Sequence, residues 1–302
     1  MKPKIVLAGG TGFIGSYFQK KFADSGYEVV IISRDPNQVS WTDDASLLNT
    51  LEGAEVLINL AGKSVNCRYN SKNKKAILDS RVHTTQKLQQ IADQCKRPPV
   101  LWINSSTATI YRHAEDRPMD EATGEIGSGF SVAVARAWEK AFFEKENINI
   151  RKIALRIAIV LGKAGGVMKP FTNLVQFGLG GKQGSGKQMF SWIHIEDLYQ
   201  IILFLIENKK LAGIFNCSAP YPVNNQTFMG AIRKILKPLL HLPAPTLLLK
   251  AGAVLIGTET ELILKSRWVL PRKLIGVGYR FRYPNINAAL NEIYKKEAPS
   301  FG

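Results

Sequence analysis

The chain has 302 residues, of which 45% are hydrophobic and 21% are charged, and it contains no low-complexity tract. This composition is typical of a globular protein with one large domain, or one domain plus a small lobe. No run of about 18 apolar residues is free of both charge and proline, so the sequence predicts no membrane span.

The net charge is +16, and half of the surplus lies from Tyr221 onward, where twelve Lys and Arg residues accompany four Asp and Glu residues. Such a bias attracts anionic partners. The basic residues are scattered and no nucleic-acid motif accompanies them. We therefore expect an anionic cofactor or a small anionic substrate, and no nucleic acid.

The three cysteines, Cys67, Cys95 and Cys217, are far apart and have no metal-ligand spacing. Reduced thiols in a cytoplasmic protein without a metal site are the simplest interpretation. A strand-like run already begins at residue 5, so we expect no signal peptide. Monomer and homodimer both remain open.

Short apolar runs without alternation are typical of strands that are buried on both faces of a parallel sheet. Such runs extend from Lys4 to Ala8, Glu28 to Ser33, Glu55 to Ala61, Val100 to Ser105, and Ile150 to Val160. Helical patterns lie between them, from Ile14 to Ser25, Asn73 to Gln94, and Phe130 to Asn147. This alternation predicts an α/β protein with a doubly wound parallel Rossmann sheet.

The pattern changes after Leu161. An apolar run from Phe190 to Ile195 precedes a helical pattern from Glu196 to Glu207, and the chain becomes richer in proline and basic residues from Ala219. Further helices are predicted from Asn225 to Leu236, Pro245 to Ile256, and Ile286 to Lys296. We predict a Rossmann domain of residues 1–218 and a smaller, mostly helical C-terminal lobe of residues 219–302 that covers the substrate.

A glycine-dense stretch from Gly178 to Gly186 contains Lys182 and is followed by Lys187. Backbone N–H groups beside cations can form a nest for an anion, whereas a flexible linker is the competing interpretation. The density of glycine with flanking cations favours a ligand loop.

Gly9, Gly12 and Gly15 occupy the junction between the first strand and the first helix. In such a loop one glycine makes the turn, one lets a diphosphate approach, and one lets the helix pack close to the strand. Free N–H groups at the helix N-terminus receive the phosphate charge. A purely structural turn is the alternative, but the position in a βαβ unit favours a dinucleotide. The predicted contacts are Gly9, Gly12, Phe13, Ile14 and Gly15.

The second strand ends in Ser33 and Arg34, followed by Asp35. An acid at this point holds the ribose 2′-hydroxyl of NAD, whereas an arginine accommodates the 2′-phosphate of NADP. Ser33 and Arg34 favour NADP. A shift of one residue would place Asp35 at the critical point, so NAD stays possible.

Several short motifs occur in a fixed order along the chain, at residues 9–15, 59–62, 105–111, 155–156, 178–186, 191–197, 219–220, 269–272 and 281–284. They resemble landmarks of the extended short-chain dehydrogenase/reductase superfamily. Within it, the chain is most similar to the atypical group called epimerase family proteins, which carries a C-terminal domain of unknown function.

The resemblance implies further residues near the cofactor and the substrate. Asn59-Leu60-Ala61-Gly62 resembles the turn beside the adenine ribose, and Arg81 stands where relatives carry an asparagine near the active site; a surface arginine is the alternative. Thr107 falls on the position of the catalytic Ser/Thr, although capping of the strand end is equally compatible. The implied cofactor contacts are Leu60, Ala61, Gly62, Arg81, Ser105 and Ser106.

The sequence departs from the superfamily at its catalytic helix. Typical members carry Tyr-x-x-x-Lys there, because the lysine charge lowers the tyrosine pKa and lets the phenol act as acid or base. Anchoring the pattern on Glu139 puts Ser131 at the tyrosine position and Ala135 at the lysine position. No neighbouring register restores the pair.

Replacement acid/base candidates are Glu121 and His194, with weaker cases for Tyr111 and His113. Glu121 follows the strand in a loop, where a solvated acid is the alternative. His194 lies in a hydrophobic segment, where a core histidine with satisfied nitrogens is the alternative.

These observations favour an NADP(H)-binding oxidoreductase or epimerase-like enzyme that acts on a small-molecule substrate. The alternative is a non-catalytic NADP(H)-sensing or scaffold protein, which the absence of the Tyr and Lys pair favours. Some relatives carry a cell-division label that fits this class.

Overall fold

The computed structural model describes residues 2–145, 149–240, 242–243 and 265–295. Its strands are β1 (Lys4–Ala8), β2 (Glu28–Ser33), β3 (Val39–Ser40), β4 (Val56–Asn59), β5 (Leu101–Thr107), β6 (Arg151–Ile157), β7 (Ile159–Leu161), β8 (Met189–Phe190), β9 (Trp192–His194), β10 (Gly213–Cys217) and β11 (Val223–Asn224). Its helices are α1 (Phe13–Asp24), α2 (Asp44–Leu51), α3 (Ser71–Ala92), α4 (Phe130–Phe143), α5 (Met168–Gln176), α6 (Ile195–Glu207), α7 (Asn225–Leu236), α8 (Arg272–Gly276) and α9 (Ile286–Ile293).

In the described residues, seven strands form one sheet in the order β10-β6-β5-β4-β1-β2-β3. β1 pairs in parallel with β2 on one side and with β4 on the other, so the strand order reverses next to β1. In open α/β sheets, ligands bind outside the carboxyl ends of the strands at this switch point. The predicted doubly wound Rossmann sheet is confirmed, and its switch point lies beside the glycine loop.

Helices cover both faces of this sheet. Val6 and Ala8 of β1 belong to a core that also contains Leu47 of α2, Leu88 of α3 and Phe142 of α4. Ile5 and Leu7 alternate to the opposite face and are fully buried as well. Burial on both faces explains why the strand sequence shows no polar alternation.

On the second face, the rings of α1 and α6 pack together. The ring centroids of Phe18 and Phe22 lie 6.1 Å and 5.0 Å from that of Tyr199. α1 ends where Gly26 adopts a φ of +86°, and the amide of Tyr27 donates to the carbonyl of Phe22. This Schellman motif satisfies the last carbonyls of α1 and ends the helix.

The prediction of one continuous strand from Ile150 to Val160 is wrong, because the structure has two strands there. β6 ends at Ile157, and the amide of Ala158 donates to the carbonyl of Cys217. The chain then continues as β7, which pairs with β9 in a separate two-stranded sheet. A continuous apolar run cannot reveal this change of sheet, because both pieces are buried.

Other boundaries also differ from the prediction. The strand predicted from Glu55 is shorter, the strand predicted from Val100 continues to Thr107, and the helix predicted to reach Asn147 ends at Phe143. The helix predicted from Ile286 ends at Ile293, and the one predicted from Pro245 to Ile256 lies outside the described residues. The patterns missed α2, although Asp43 caps it by accepting from the amide of Ser46.

The contacts divide the chain into two compact units. The first comprises residues 1–111, 126–157 and 199–215, and the second comprises residues 112–125, 158–198 and 216–302. The second has its own apolar core, in which Phe171, Phe190 and Phe228 pack with residues of α7 and α9. The division at residues 218 and 219 stays a prediction.

Among the described residues, no helix combines the length and the apolar character needed to cross a membrane. Within the same ranges, no cluster of three or more His, Cys, Asp or Glu side chains is arranged to hold a metal ion.

Candidate functional site

The three glycines of the first loop differ in what surrounds them. Gly9 has a φ of +80°, and a Cβ there would lie 2.7 Å from the backbone of Ala61. A Cβ on Gly15 would lie 2.4 Å from the carbonyl oxygen of Gly10. Around Gly12, by contrast, a Cβ would meet nothing within 4 Å among the described atoms. Two glycines therefore allow close backbone contacts, and the third leaves an open approach to the start of α1.

Gly12 is the N-cap of α1 and offers no side chain to its free amides. The helix that follows has twelve residues and carries no acidic residue in its first turn. Phe13 and Ile14 open this turn and are partly buried. Unpaired N–H groups with the positive end of the helix dipole form a site for phosphate. The glycine cradle therefore fits the diphosphate of a dinucleotide.

Asn59 fixes the turn that faces the glycine loop. Its Oδ1 accepts from the amide of Ala61 at 3.0 Å, and its Nδ2 donates to Thr85 and to Asn104 at 3.0 Å and 2.7 Å. The amide of Leu60 also donates to the carbonyl of Ala8. This buried network holds the predicted contacts Leu60, Ala61 and Gly62 at the carboxyl ends of β1 and β4.

Arg34 and Asp35 differ in how they are engaged. Oδ1 of Asp35 accepts from the backbone and the side-chain amides of Asn37 at 2.9 Å and 3.1 Å, which closes a local turn. The hydroxyl of Ser33 accepts from the amide of Asp35 at 3.0 Å. Arg34 is exposed and has no acidic partner among the described residues. The local geometry therefore leaves the arginine, rather than the acid, available to a ligand.

The end of β5 is held by buried charges. Ser106 and Arg156 are opposite each other in the parallel register of β5 and β6. The hydroxyl of Ser106 donates to Oε1 of Glu139 at 2.6 Å, and Arg156 donates to both oxygens of the same carboxylate at 2.9 Å and 2.8 Å. Burial works against the charge of Arg156, but the bonds to Glu139 hold its pKa above the ordinary value.

Arg156 also donates to the hydroxyl of Tyr111 at 2.9 Å, and its guanidinium lies 5.0 Å from the centre of that ring. Ser105 and Ser106 are almost fully buried, so Ser106 serves as a link within the protein. This network fixes the strand end on which Thr107 sits.

Thr107 caps the short 3-10 turn Ala108–Ile110. Its hydroxyl oxygen accepts from the amide of Thr109 at 3.1 Å. The residue is partly exposed. The hydrogen bond from Thr109 uses one lone pair of this oxygen and leaves the hydroxyl proton available to a ligand.

Arg81 of α3 lies against the turn that Asn59 fixes. Its Nη1 donates to the carbonyls of Lys63 and Ile77, at 3.0 Å each. A Cβ on Gly62 would lie 3.1 Å from the Cζ atom of Arg81, so this glycine lets the guanidinium pack against the backbone. Burial lowers the pKa of Arg81 to about 10, which leaves it charged at neutral pH.

Glu121 and His194 both lie in the second unit and are bound within it. Glu121 accepts from the amide of Asn216 at 2.8 Å and from that of Lys273 at 3.3 Å. Nε2 of His194 lies 2.8 Å from Glu292, and its Nδ1 accepts from the amide of Glu196 at 3.2 Å. Burial lowers the pKa of His194. These contacts favour a core histidine with satisfied nitrogens at position 194, and they give Glu121 a structural role rather than that of a solvated acid.

The glycine-dense stretch is fastened by side chains of the second unit. The amide of Gln183 donates to Asn225 at 2.8 Å, and Gln188 donates to the carbonyl of Gln183 at 2.9 Å. Gln183 is fully buried. Such anchoring argues against a flexible linker.

Sequence reasoning missed Thr85 and Trp138, and it named Asn59 and Glu139 as motif positions without recognising their supporting bonds. The indole of Trp138 donates to Thr85, which also accepts from Asn59, so one chain of bonds runs from α4 to the turn after β4. A polar residue at the end of an apolar strand was the available signal for Asn59. Nothing in the local sequence marks Thr85 as its partner.

Comparison with known proteins agrees with this arrangement. Residues 5–218 match the NAD dependent epimerase/dehydratase family, and residues 244–293 match a domain of unknown function, DUF1731. The chain belongs to the NAD dependent epimerase/dehydratase family. The resemblance to extended short-chain dehydrogenase/reductases is thereby confirmed.

Two relatives match along nearly their whole length. The chain is 32% identical over 299 residues to epimerase family protein YfhF of Bacillus subtilis, with 96% of this chain and 97% of the relative covered. Human epimerase family protein SDR39U1, in a crystal structure with NADPH, is 30% identical with a TM-score of 0.88, covering 96% of this chain and 98% of that one.

A nucleoside-diphosphate sugar epimerase from Corynebacterium glutamicum is 28% identical with a TM-score of 0.77. That match covers 96% of this chain and 58% of the other.

Proposed function

We propose that this protein binds NADP(H) and acts as an NADP-dependent oxidoreductase or epimerase-like enzyme on a small anionic substrate. The observation that carries the proposal is the open approach at Gly12, between two glycines whose neighbours leave no room for a side chain. The human relative crystallised with NADPH supports the same cofactor.

Each part of the dinucleotide has residues suited to it. The amides at the start of α1 bind the diphosphate, and Leu60, Ala61 and Gly62 line the opposite side of the strand ends. Arg34 binds the 2′-phosphate, because Asp35 is engaged in its own turn. NADP is therefore preferred over NAD.

When bound, the nicotinamide supplies a hydride acceptor or donor. Thr107 orients a substrate oxygen through its hydroxyl proton, which has no acceptor among the described residues. Ser131 and Ala135 offer no acid or base, so a proton moves through water or another group. Glu121 and His194 remain weaker candidates for this step, since their polar atoms hold neighbouring backbone or side chains.

Residues 1–218 would provide the cofactor domain and residues 219–302 the lobe that covers the substrate. The match of residues 5–218 to the NAD dependent family supports this division.

A non-catalytic NADP(H) sensor is the second candidate. It is favoured by the partly buried Ser131 and the buried Ala135, which replace the tyrosine and lysine. A sensor would bind the cofactor as tightly as an enzyme and differ only in turnover.

Two measurements test the proposal. Calorimetry with NADPH and NADH should give binding of both, with NADPH tighter; no binding of either at millimolar concentration would overturn it. NADPH oxidation is then followed with a panel of carbonyl compounds. Turnover of any of them identifies an enzyme, and tight binding without turnover across the panel identifies the sensor.

A further inference from the structure

The guanidinium of Arg81 uses only part of its hydrogen-bonding capacity within the protein. Both bonds that it donates start from Nη1 and end on the backbone carbonyls of Lys63 and Ile77. Nε and Nη2 meet no acceptor among the described residues, and no carboxylate there lies within ion-pair distance. These two nitrogens form one edge with parallel N–H bonds, which matches two oxygens of a carboxylate or phosphate.

A partly buried cation without a carboxylate is unusual, because the protein must compensate for the water that it has lost. Here the compensation comes from an aromatic ring: the Cζ atom of Arg81 lies 5.1 Å from the centre of the Trp138 ring. The protein thus holds the cation in place while leaving one edge unused.

The position of Trp138 relates Arg81 to the lost catalytic pair. Trp138 follows Ala135 by three residues and Ser131 by seven, so the three side chains share one face of α4. Tyr69 packs on Phe130, the first residue of that helix, with ring centroids 5.0 Å apart. Arg81 therefore brings a positive charge to the face of α4 on which relatives carry their lysine.

We propose that the Nε and Nη2 edge of Arg81 binds a two-oxygen anionic group of the substrate, a carboxylate or a phosphate. The proposal rests on the proposed function and adds the substrate class. The diphosphate of the cofactor belongs at the start of α1, whereas Arg81 comes from α3 and reaches the turn after β4. Its Nη1 holds the turn beside the cofactor by donating to the carbonyl of Lys63, and its Nε and Nη2 bind the anionic group of the substrate.

The test titrates the NADP⁺-loaded protein with oxamate as a carboxylate probe and inorganic phosphate as a phosphate probe, using calorimetry. The wild type should bind at least one of them. Arg81→Gln should weaken that binding by about tenfold or more, because a charged two-point contact is lost. Arg81→Lys should fall between the two, since it keeps the charge without the fork.

Arg136→Gln is the matched control, because Arg136 is exposed on α4 and its loss changes the net charge equally. It should bind both probes like the wild type. Circular dichroism and melting curves verify that each variant is folded. If Arg81→Gln does not fold, Arg81→Lys carries the comparison.

Three results would overturn the proposal. They are no binding of either probe by the wild type, equal binding by the wild type and Arg81→Gln, or a loss of NADP⁺ affinity in Arg81→Gln with unchanged probe affinity. A titration of the wild type with NADP⁺ alone distinguishes the two failures. Missing NADP⁺ binding would overturn the proposed function, whereas NADP⁺ binding without probe binding would overturn only the role of Arg81.

Discussion

Gly9 and Ala61 approach each other so closely that a side-chain carbon on Gly9 would lie 2.7 Å from the Cα atom of Ala61. Ala8 and Asn59, which precede these turns, are register partners in β1 and β4. The bond from the amide of Ala61 to Asn59 keeps the second turn in place. The two turns are therefore packed closely together, whereas the space around Gly12 is open.

Gly15 is crowded by backbone and Gly12 is not, so substitution of Gly15 should mainly lower stability and substitution of Gly12 should mainly weaken cofactor binding. Gly15→Ala should destabilise the fold by about 3 kcal/mol, because the new carbon would overlap the backbone at Gly10. Gly12→Ala should cost about 1 kcal/mol or less in stability, yet weaken NADP⁺ binding by about tenfold or more by blocking the phosphate. Urea denaturation and calorimetry measure the two quantities. Unchanged NADP⁺ affinity in Gly12→Ala would contradict the assigned approach.

Arg34 should decide between the two cofactors. Arg34→Ala should weaken NADP⁺ binding by about tenfold or more while leaving NAD⁺ nearly unchanged, since only NADP⁺ carries the 2′-phosphate. Asp35→Asn is the matched control, because the amide oxygen can still accept from Asn37. Competition titrations with both dinucleotides provide the measurement. Equal losses for NADP⁺ and NAD⁺ would show that Arg34 is a surface arginine.

Glu139 and Arg156 form a buried ion pair. Removing one partner should lower the free energy of unfolding by more, relative to its separate contribution, than removing both together. Glu139→Ala should destabilise the protein by about 3–5 kcal/mol, because it leaves a buried guanidinium without its carboxylate. The double variant Glu139→Ala with Arg156→Met should lose less than the sum of the single losses. Chemical denaturation of all four proteins gives the coupling, and strict additivity would rule out the interaction.

His194 should make stability depend on pH. Its folded pKa is lowered by burial, so the unfolded chain binds a proton that the folded protein refuses. Stability is therefore complete above the unfolded pKa of about 6.5 and falls as the pH drops through it, by at most about 1.4 kcal/mol per pH unit. His194→Gln should flatten this dependence in denaturation between pH 7.5 and 5.5 (about one unit either side).

His83→Gln provides the control for that experiment, because His83 is exposed on α3. It should retain the slope of the wild type. A slope that survives in His194→Gln would assign the pH dependence to other groups.

Much of the fold could be predicted from the sequence. The bounds of β1, β2 and α7 coincide with the predicted ones, because β1 and β2 are compact apolar runs and α7 has a helical hydrophobic period. The break after β6 could not be predicted, since it depends on which strand Ile159 pairs with. The short helix α2 was not predicted, because eight residues give only a weak hydrophobic period.

The candidate site divides in the same way. The sequence by itself determined the glycine loop, the absence of a tyrosine and lysine on α4, and the presence of Arg34 and Asp35, because these depend on residue type and local spacing. Only the tertiary structure decided that Arg81 rests on Trp138 and that Glu139 joins Ser106 to Arg156. Contacts between distant segments depend on the orientation of packed helices and strands, which hydrophobic periodicity does not specify.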